Sequence, residues 1–570
     1  MIVIRWVLLG LSTAGWWEVL RKRSNIHPAF LPSAAIAVQS CVLLLGGVLN
    51  ILYETAFLLW AAGLAFFAKY TVEKKGKNLF CYMRTEYLFL AVSFAILAFV
   101  LQGKVFTHYD NFSHWALVVK TMLRTNHFPN TETPIITYRG YPLGSSVLAY
   151  YTARMTGGGE TTWMLGQGYG MLACMLPLLR PEGRNKWLVF LTGLFLCNFF
   201  LAYNVQPTEM LVDTLLPLAG MCTLLFAQSC RGEDRRECWL AALYLIWLIQ
   251  IKNAGVFFAL AAGGVYLWRM RRSKVRLPAV MSVLLAFLSL WLWNLHCRYT
   301  FPSTGTSPHF LSFSWWEAAF QSKSVEDIKH IILMLIRNAF RWEYFGICML
   351  LLAVVMGYCA LAAKISRRGL AVSAGGLVGL YLFYQLGLLL TYIFSMHRTE
   401  AFYLVEFDRY EKTVIIAVVY LVCWMGMKAM AAERKRLSPI WCAVLCLMLS
   451  VIAFQYGSVP SIFTYQPYRF STFDGLEARM WMENLKEEYQ IPNEGDYAFL
   501  IEGWDSDYFY YMGTYVFNGT DIVVIERADA DSLERITADY VLIHDRDNPA
   551  IQQWVHTHYP DQQGNDLIRR

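Results

Sequence analysis

The chain has 570 residues, 56% of them hydrophobic and only 16% charged, with a formal net charge of +7; its mean hydropathy is +0.37. A soluble protein carries about a quarter of its residues as charges, so this composition excludes a soluble globular fold and points to an integral membrane protein. The positive balance sits in short loops between apolar runs, which reads as membrane topology and gives no nucleic-acid partner.

Apolar runs long enough to cross ~30 Å of hydrocarbon recur along the first four-fifths of the chain. They cover 1–20, 31–50, 51–69, 86–102, 162–179, 187–203, 211–228, 238–251, 254–268, 278–296, 343–363, 370–394, 412–431 and 439–457. The pattern predicts an α-helical polytopic membrane protein of about 12 to 14 transmembrane helices. The first run lacks a signal-peptide cleavage site and is expected to be retained as a span. Basic clusters occur at Arg21-Lys22-Arg23, Lys74-Lys75, Arg180 to Lys186, Arg231 to Arg236, Arg269 to Arg276, Lys364 to Arg368 and Arg434-Lys435-Arg436. All fall on one face of this topology, which the positive-inside rule assigns to the cytoplasm. The longer connections, 103–161, 297–342, 396–411 and the tail from 458, then lie outside. Of the 13 cysteines, nearly all fall in spans or at the cytoplasmic border, with no C-x-x-C and no metal spacing. They read as small apolar packers.

The loop 103–161 carries the strongest polar signal. It opens with Thr107-His108-Tyr109-Asp110-Asn111-Phe112-Ser113-His114-Trp115. Trp115, Val118, Val119 and Met122 then recur at helical spacing, with Lys120 and Arg124 on another side, predicting a short amphipathic helix over 112–124 suited to the membrane interface. Asp110 at its start is either an N-terminal cap or a general base that takes a proton from an incoming hydroxyl. His108, His114, Lys120 and Arg139 in the same loop are candidates to hold a departing phosphate. The loop closes on Tyr138-Arg139-Gly140-Tyr141-Pro142-Leu143-Gly144, a bend before the chain re-enters the interface.

Three further sites place charge at membrane depth, where it is costly and marks function by default. Lys252 interrupts an apolar stretch bounded by cytoplasmic loops, so the chain must turn back there in a tight hairpin near the outer leaflet. Asp213 opens the run 211–228. Asp408 and Arg409 precede the run 412–431. The competing reading is that Lys252 snorkels and that Asp408 and Arg409 pair for structure alone. Arg341, Trp342 and Glu343 read as interface anchors, and His309 is a weak loop candidate.

The tail changes character. Residues 474–490 predict an amphipathic helix capped by Asp474, with Leu476, Met480 and Leu485 on one side. Tyr497 to Ile501, Asp521 to Ile525 and Tyr540 to His544 are short continuous apolar runs separated by helix-length segments, the pattern of buried parallel strands. Residues 458–570 are therefore expected to form a small extracytoplasmic α/β domain, after a transmembrane domain at 1–457 that carries the catalytic outer loop 103–161. No G-x-G-x-x-G follows the first strand, which excludes a dinucleotide fingerprint. Asn518-Gly519-Thr520 matches a glycosylation sequon but reads better as a turn.

Asp110 to Trp115, Tyr141-Pro142-Leu143-Gly144, Val212 to Leu216, Lys252-Asn253-Ala254-Gly255 and Phe407-Asp408-Arg409-Tyr410 together resemble the GT-C class of polytopic glycosyltransferases, in particular the bacterial membrane proteins of cell-surface polysaccharide assembly. The resemblance implies a polyprenyl-phosphate-linked sugar donor, an inverting transfer, and a glycan, lipid or protein acceptor on the outer face. By position it makes Asp110 the catalytic base, with His114, Lys120, Arg139, Asp213, Lys252, Asp408 and Arg409 as substrate-binding candidates. Members of the class often carry paired acids in this loop, whereas here Asn111 and Phe112 follow Asp110, so no metal or other cofactor is expected. The alternatives are a flippase or transporter of a lipid-linked saccharide, a polymerase or ligase of surface glycan, and a non-catalytic scaffold. A transporter is expected to show matching broken spans in two halves, and the sequence has none.

Overall fold

Helices form wherever the sequence sustains apolar side chains, and they stop where polar, glycine or proline residues break the run. In the computed structural model the described residues are 2–73, 85–134, 136–179, 186–302, 312–362, 367–431, 437–455, 475–493, 495–503, 505–519 and 521–570. In chain order the first helices are α1 (Ile2–Arg23), α2 (Leu31–Val48), α3 (Leu52–Glu73), α4 (Thr85–Leu101), α5 (Ala116–Thr125), α6 (Ser146–Thr156), α7 (Glu160–Met175) and α8 (Lys186–Tyr203). They continue as α9 (Leu215–Ser229), α10 (Arg235–Ile251), α11 (Gly255–Met270), α12 (Arg276–Thr300), α13 (Phe313–Gln321), α14 (Val325–Ala339), α15 (Ile347–Ala362) and α16 (Arg367–Phe394). After these come α17 (Arg398–Phe402), α18 (Phe407–Ala431) and α19 (Ser438–Gln455). Every apolar run read from the sequence holds a helix.

Among the described residues, eight stretches are long and apolar enough to cross a membrane, and α4, α9, α11 and part of α19 are apolar but shorter. The shorter helices explain the difference from the run lengths. The run from 211 does not become helical until Leu215, because Asp213 and Thr214 lie in a turn. The run at 254 starts its helix at Gly255. In the opposite direction, α18 begins at Phe407, so Asp408 and Arg409 belong to its first turn. The described part of the loop 297–342 holds α13 and the amphipathic α14, whose N-terminus is closed by a reciprocal Ser324–Asp327 capping box.

The chain divides into two compact units, Met1–Lys104 with Tyr138–Tyr465, and Val105–Thr137 with Gln466–Arg570. In the second unit, β1 (Asp496–Ile501), β2 (Asp521–Glu526), β3 (Tyr540–Ile543) and β4 (Leu567–Arg569) form one sheet in the order β2-β1-β3-β4. β1 pairs in parallel with β2 and β3, as the continuous apolar runs predict, and β4 adds an antiparallel edge that the short Leu567–Arg569 segment did not announce. Helices α20 (Gly475–Glu488), α21 (Ser506–Phe517), α22 (Ala530–Glu534) and α23 (Pro549–His558) complete the unit. Leu500, Leu533, Val541, Ile543 and Ile551 share one core cluster. α21 ends on Asn518 in the left-handed region, φ 53°, which fits the turn reading of that segment; Thr520 lies outside the described residues.

Two sequence expectations need correction here. The buried face of α20 is Ala478, Met482 and Leu485, spaced i, i+4, i+7, whereas Met480 is half exposed; Asp474 lies outside the described residues. The amphipathic segment after Asp110 is a π-helical turn, Asn111–Trp115, leading into α5. Its apolar side chains Phe112, Val118, Val119 and Met122 are fully buried, and within the second unit the Phe112 ring packs against Tyr508 and Tyr515. Protein, not lipid, covers that face.

Candidate functional site

The close approach of two backbones shapes the first unit around Lys252. Gly144 donates its N–H to the Gln250 carbonyl at 2.6 Å, and a Cβ at residue 144 would lie only 2.5 Å from that oxygen. Only glycine permits the contact. Trp293 Nε1 donates to the Gly140 carbonyl at 3.1 Å, fixing the same bend. α10 then ends, Lys252 adopts an extended conformation (φ −161°, ψ 153°), and the Gly255 N–H closes the turn on the Lys252 carbonyl at 2.7 Å. The predicted hairpin is present, with Lys252 at its tip.

Lys252 Nζ meets Asp213 Oδ1 at 3.0 Å. Arg409 Nε stands 3.9 Å from Asp213 Oδ2 and 3.3 Å from Glu406 Oε2; the longer separation is an ion pair beyond hydrogen-bond reach. The Lys252 ammonium also lies 5.5 Å from the centre of the Tyr410 ring and 6.0 Å from that of Tyr141, within cation–π range. Asp213 precedes α9, Lys252 precedes α11, and Arg409 lies in the first turn of α18, so three helix N-termini converge. Each presents the positive end of its dipole to the cluster, an arrangement suited to an anion.

A cavity of about 440 Å³ borders the pair. Asp213 and Lys252 line it together with apolar Trp316, Leu388, Leu390 and Phe394. Arg409 is not part of that lining and acts on it through Asp213. The wall is tied in place by Trp315 Nε1, which donates to the Ser395 carbonyl at 2.8 Å, and by Lys323 Nζ, which donates to the Met396 carbonyl at 2.7 Å. Arg398 grips Asp327 through two hydrogen bonds of 2.8 and 2.9 Å.

Sequence reasoning missed several supporting residues. Asn204 Nδ2 donates to the Arg409 carbonyl at 3.1 Å, and Thr413 Oγ1 donates to the Asp213 carbonyl at 3.2 Å. These bonds join the turn after α8 to α18 and hold the acid against the arginine. The only prior signal was an asparagine ending an apolar run. Leu404 and Glu406 adopt left-handed φ values of 48° and 62°, uncommon for residues with a Cβ. That turn delivers both Glu406 and Arg409.

The remaining candidates are placed elsewhere. Asp408 is exposed and accepts a hydrogen bond from the Tyr344 hydroxyl, away from Asp213. Arg139 lies 5.7 Å from the centre of the Phe301 ring. His309 lies outside the described residues. Asp110, His114 and Lys120 belong to the second unit. There Asp110 is half-buried in helical conformation and makes no capping hydrogen bond through its side chain, which removes the capping explanation. Its own N–H donates to His108 Nδ1 at 3.1 Å. The segment before it is clamped, with Tyr508 donating to the Thr107 carbonyl at 2.7 Å and Arg479 Nη1 to the Phe106 carbonyl at 2.7 Å. His114 is fully buried, its ring edge-on to Trp115 at 4.9 Å. Lys120 donates to the Tyr515 carbonyl and sits 4.5 Å from the centre of that ring. His114 is thus packed beside Trp115 and Lys120 is held at Tyr515 in this structure. Among the described residues, no group of three or more His, Cys, Asp or Glu side chains is gathered in a metal-binding arrangement.

No family model matches the chain, and no curated protein matches it. Among solved structures, the chain is similar to the crystal structure of ArnT from Cupriavidus metallidurans bound to undecaprenyl phosphate. The match covers 83% of this chain and 94% of that one, at 11% sequence identity and a TM-score of 0.46.

Proposed function

We propose that this chain is a membrane glycosyltransferase that takes a sugar from a polyprenyl-phosphate-linked donor and passes it to an acceptor hydroxyl on the outer face, in cell-surface polysaccharide assembly. One observation carries the reading. Two cations from distant segments, Lys252 and Arg409, converge on the single buried carboxylate of Asp213 beside a cavity with apolar walls. Asp213 and the half-exposed Glu406 balance the two cations, and three converging helix N-termini tip the cluster towards an anion. A lipid phosphate fits that combination, with its head against Lys252 and its isoprenoid chain along Leu388 and Phe394.

The chemistry follows from the same charges. As the acceptor oxygen bonds to the anomeric carbon, the bond from that carbon to the phosphate oxygen breaks. The electron pair leaves with the phosphate, where Lys252 and Arg409 stabilise the charge that develops. The proton of the acceptor hydroxyl goes to a carboxylate acting as general base, and this reading assigns that role to Asp110.

Two variants test the assignment with purified protein and a lipid-linked sugar. Asp110→Asn is expected to remain folded and inserted yet lose transfer, and near-normal turnover would end its role as base. Arg409→Ala is expected to weaken binding of a polyprenyl phosphate about tenfold or more, the scale of one charge-assisted contact. Unchanged binding would remove the donor site from this cluster.

A further inference from the structure

The three helices that begin at the Asp213–Lys252–Arg409 cluster also come together at their other ends. At a rise of ~1.5 Å per residue, Ser229 lies roughly 21 Å along α9 from Leu215, and Lys428 roughly 28 Å along α18 from Arg409. The length along α18 approaches the ~30 Å hydrocarbon thickness, so its far end reaches the opposite head-group layer, and the ends of α9 and α11 meet it there. A second cavity of about 320 Å³ opens there, lined by Gln228, Ser229, Arg269, Trp424 and Lys428. It shares no lining residue with the first cavity.

The cations of this hollow are held but not neutralised by any described acid. Arg269 Nε donates to the Cys230 carbonyl at 2.7 Å, which orients the guanidinium and leaves its terminal amino groups to point elsewhere. Lys428 Nζ lies 5.0 Å from the centre of the Trp424 ring. In the neighbouring loop Glu237 accepts from the Arg231 and Gly232 N–H groups at 2.9 and 3.1 Å, Asp234 pairs with Arg236 at 3.9 Å, and Glu233 is exposed.

Helix C-termini attract cations, and that alone accounts for a basic residue in a last turn. It does not account for a polar hollow between the ends. The C-termini of α9, α11 and α18 each carry about half a negative charge, against two full positive charges from Arg269 and Lys428. The geometry points to a phosphate site in this hollow, filled by the head group of an anionic lipid or by free phosphate. The guanidinium provides a planar fork and the ammonium a point charge, the usual pair of phosphate partners. Basic hollows between transmembrane helices suit such head groups. This inference is independent of the donor reading.

The test uses the full chain, purified in detergent, in native mass spectrometry with phosphatidylglycerol and phosphatidylcholine as probe lipids and inorganic phosphate as competitor. One phosphatidylglycerol is expected to be retained in preference to phosphatidylcholine. The Arg269→Gln/Lys428→Gln double variant is expected to lose about tenfold of that retention. The single variant Lys428→Gln changes an exposed side chain and guards against misfolding; it is expected to lose several-fold. Displacement by millimolar phosphate identifies the free ion as ligand, and resistance to it identifies the head group. Equal retention of the two lipids with no response to phosphate, or undiminished retention by the folded variants, overturns the site.

Discussion

Lys252 and Asp213 form an ion pair whose side chains are only 9% and 4% exposed. Withdrawing two charges from water costs several kcal/mol for each ion, and their attraction offsets that only while both are present. Asp213→Asn leaves two cations facing a neutral amide. It is expected to destabilise the protein by about 3–5 kcal/mol, read as a lowered unfolding midpoint in detergent. Adding Lys252→Met is expected to recover most of the loss, because Arg409 keeps Glu406 at 3.3 Å. A single variant as stable as the native chain would show that the pair is not buried in the working protein.

Gly144 tests how finely that pair is positioned. The Cβ of Gly144→Ala would meet the Gln250 carbonyl oxygen at 2.5 Å, a backbone atom that cannot rotate away. The expected cost is about 1–3 kcal/mol, together with weaker donor binding as Lys252, two residues further on, is displaced. Ser145→Ala, next along the chain, is the control and is expected to bind donor normally. Equal donor binding by the two variants would separate the bend from the site.

His544 gives the second unit a pH dependence. Burial lowers its pKa below the ordinary 6.5, with Glu477 and Asp545 opposing the shift less strongly. Its ring stands edge-on to Trp481 at 5.1 Å. The unfolded chain therefore binds this proton more readily than the folded one, and stability falls as pH drops below about 6.5. The protection of β1 and β3 amides against hydrogen exchange, relative to the intrinsic rate at each pH, is expected to fall from pH 7 to pH 5.5 in the full chain. His544→Phe is expected to flatten that response, and an unaltered response would assign the dependence to another group.

The sequence exposed the helices because uninterrupted apolar runs have few alternatives, and the parallel strands because Tyr497 to Ile501 and Tyr540 to Ile543 are buried on both faces. Lys252, Asp213 and Arg409 stood out for a related reason, since charge inside an apolar run demands an explanation. What stayed hidden is long-range. Nothing local in Asn204 or Thr413 says that each bonds to a segment about two hundred residues away. The face of α20 was misread because Met480 looks apolar, while the burial is decided by which neighbours the second unit supplies. Nor could the sequence show that His114 is fully buried beside Trp115 or that Lys120 reaches the Tyr515 carbonyl almost four hundred residues away.

Residues 105–137 find their core among residues that follow 466. On the ribosome, the greasy ring of Phe112 must therefore wait through the synthesis of more than three hundred intervening residues before Tyr508 and Tyr515 can pack on it. That delay makes this short stretch the natural foothold for a chaperone during biogenesis. A chain halted before α20 would leave the Phe112 ring without Tyr508 and Tyr515.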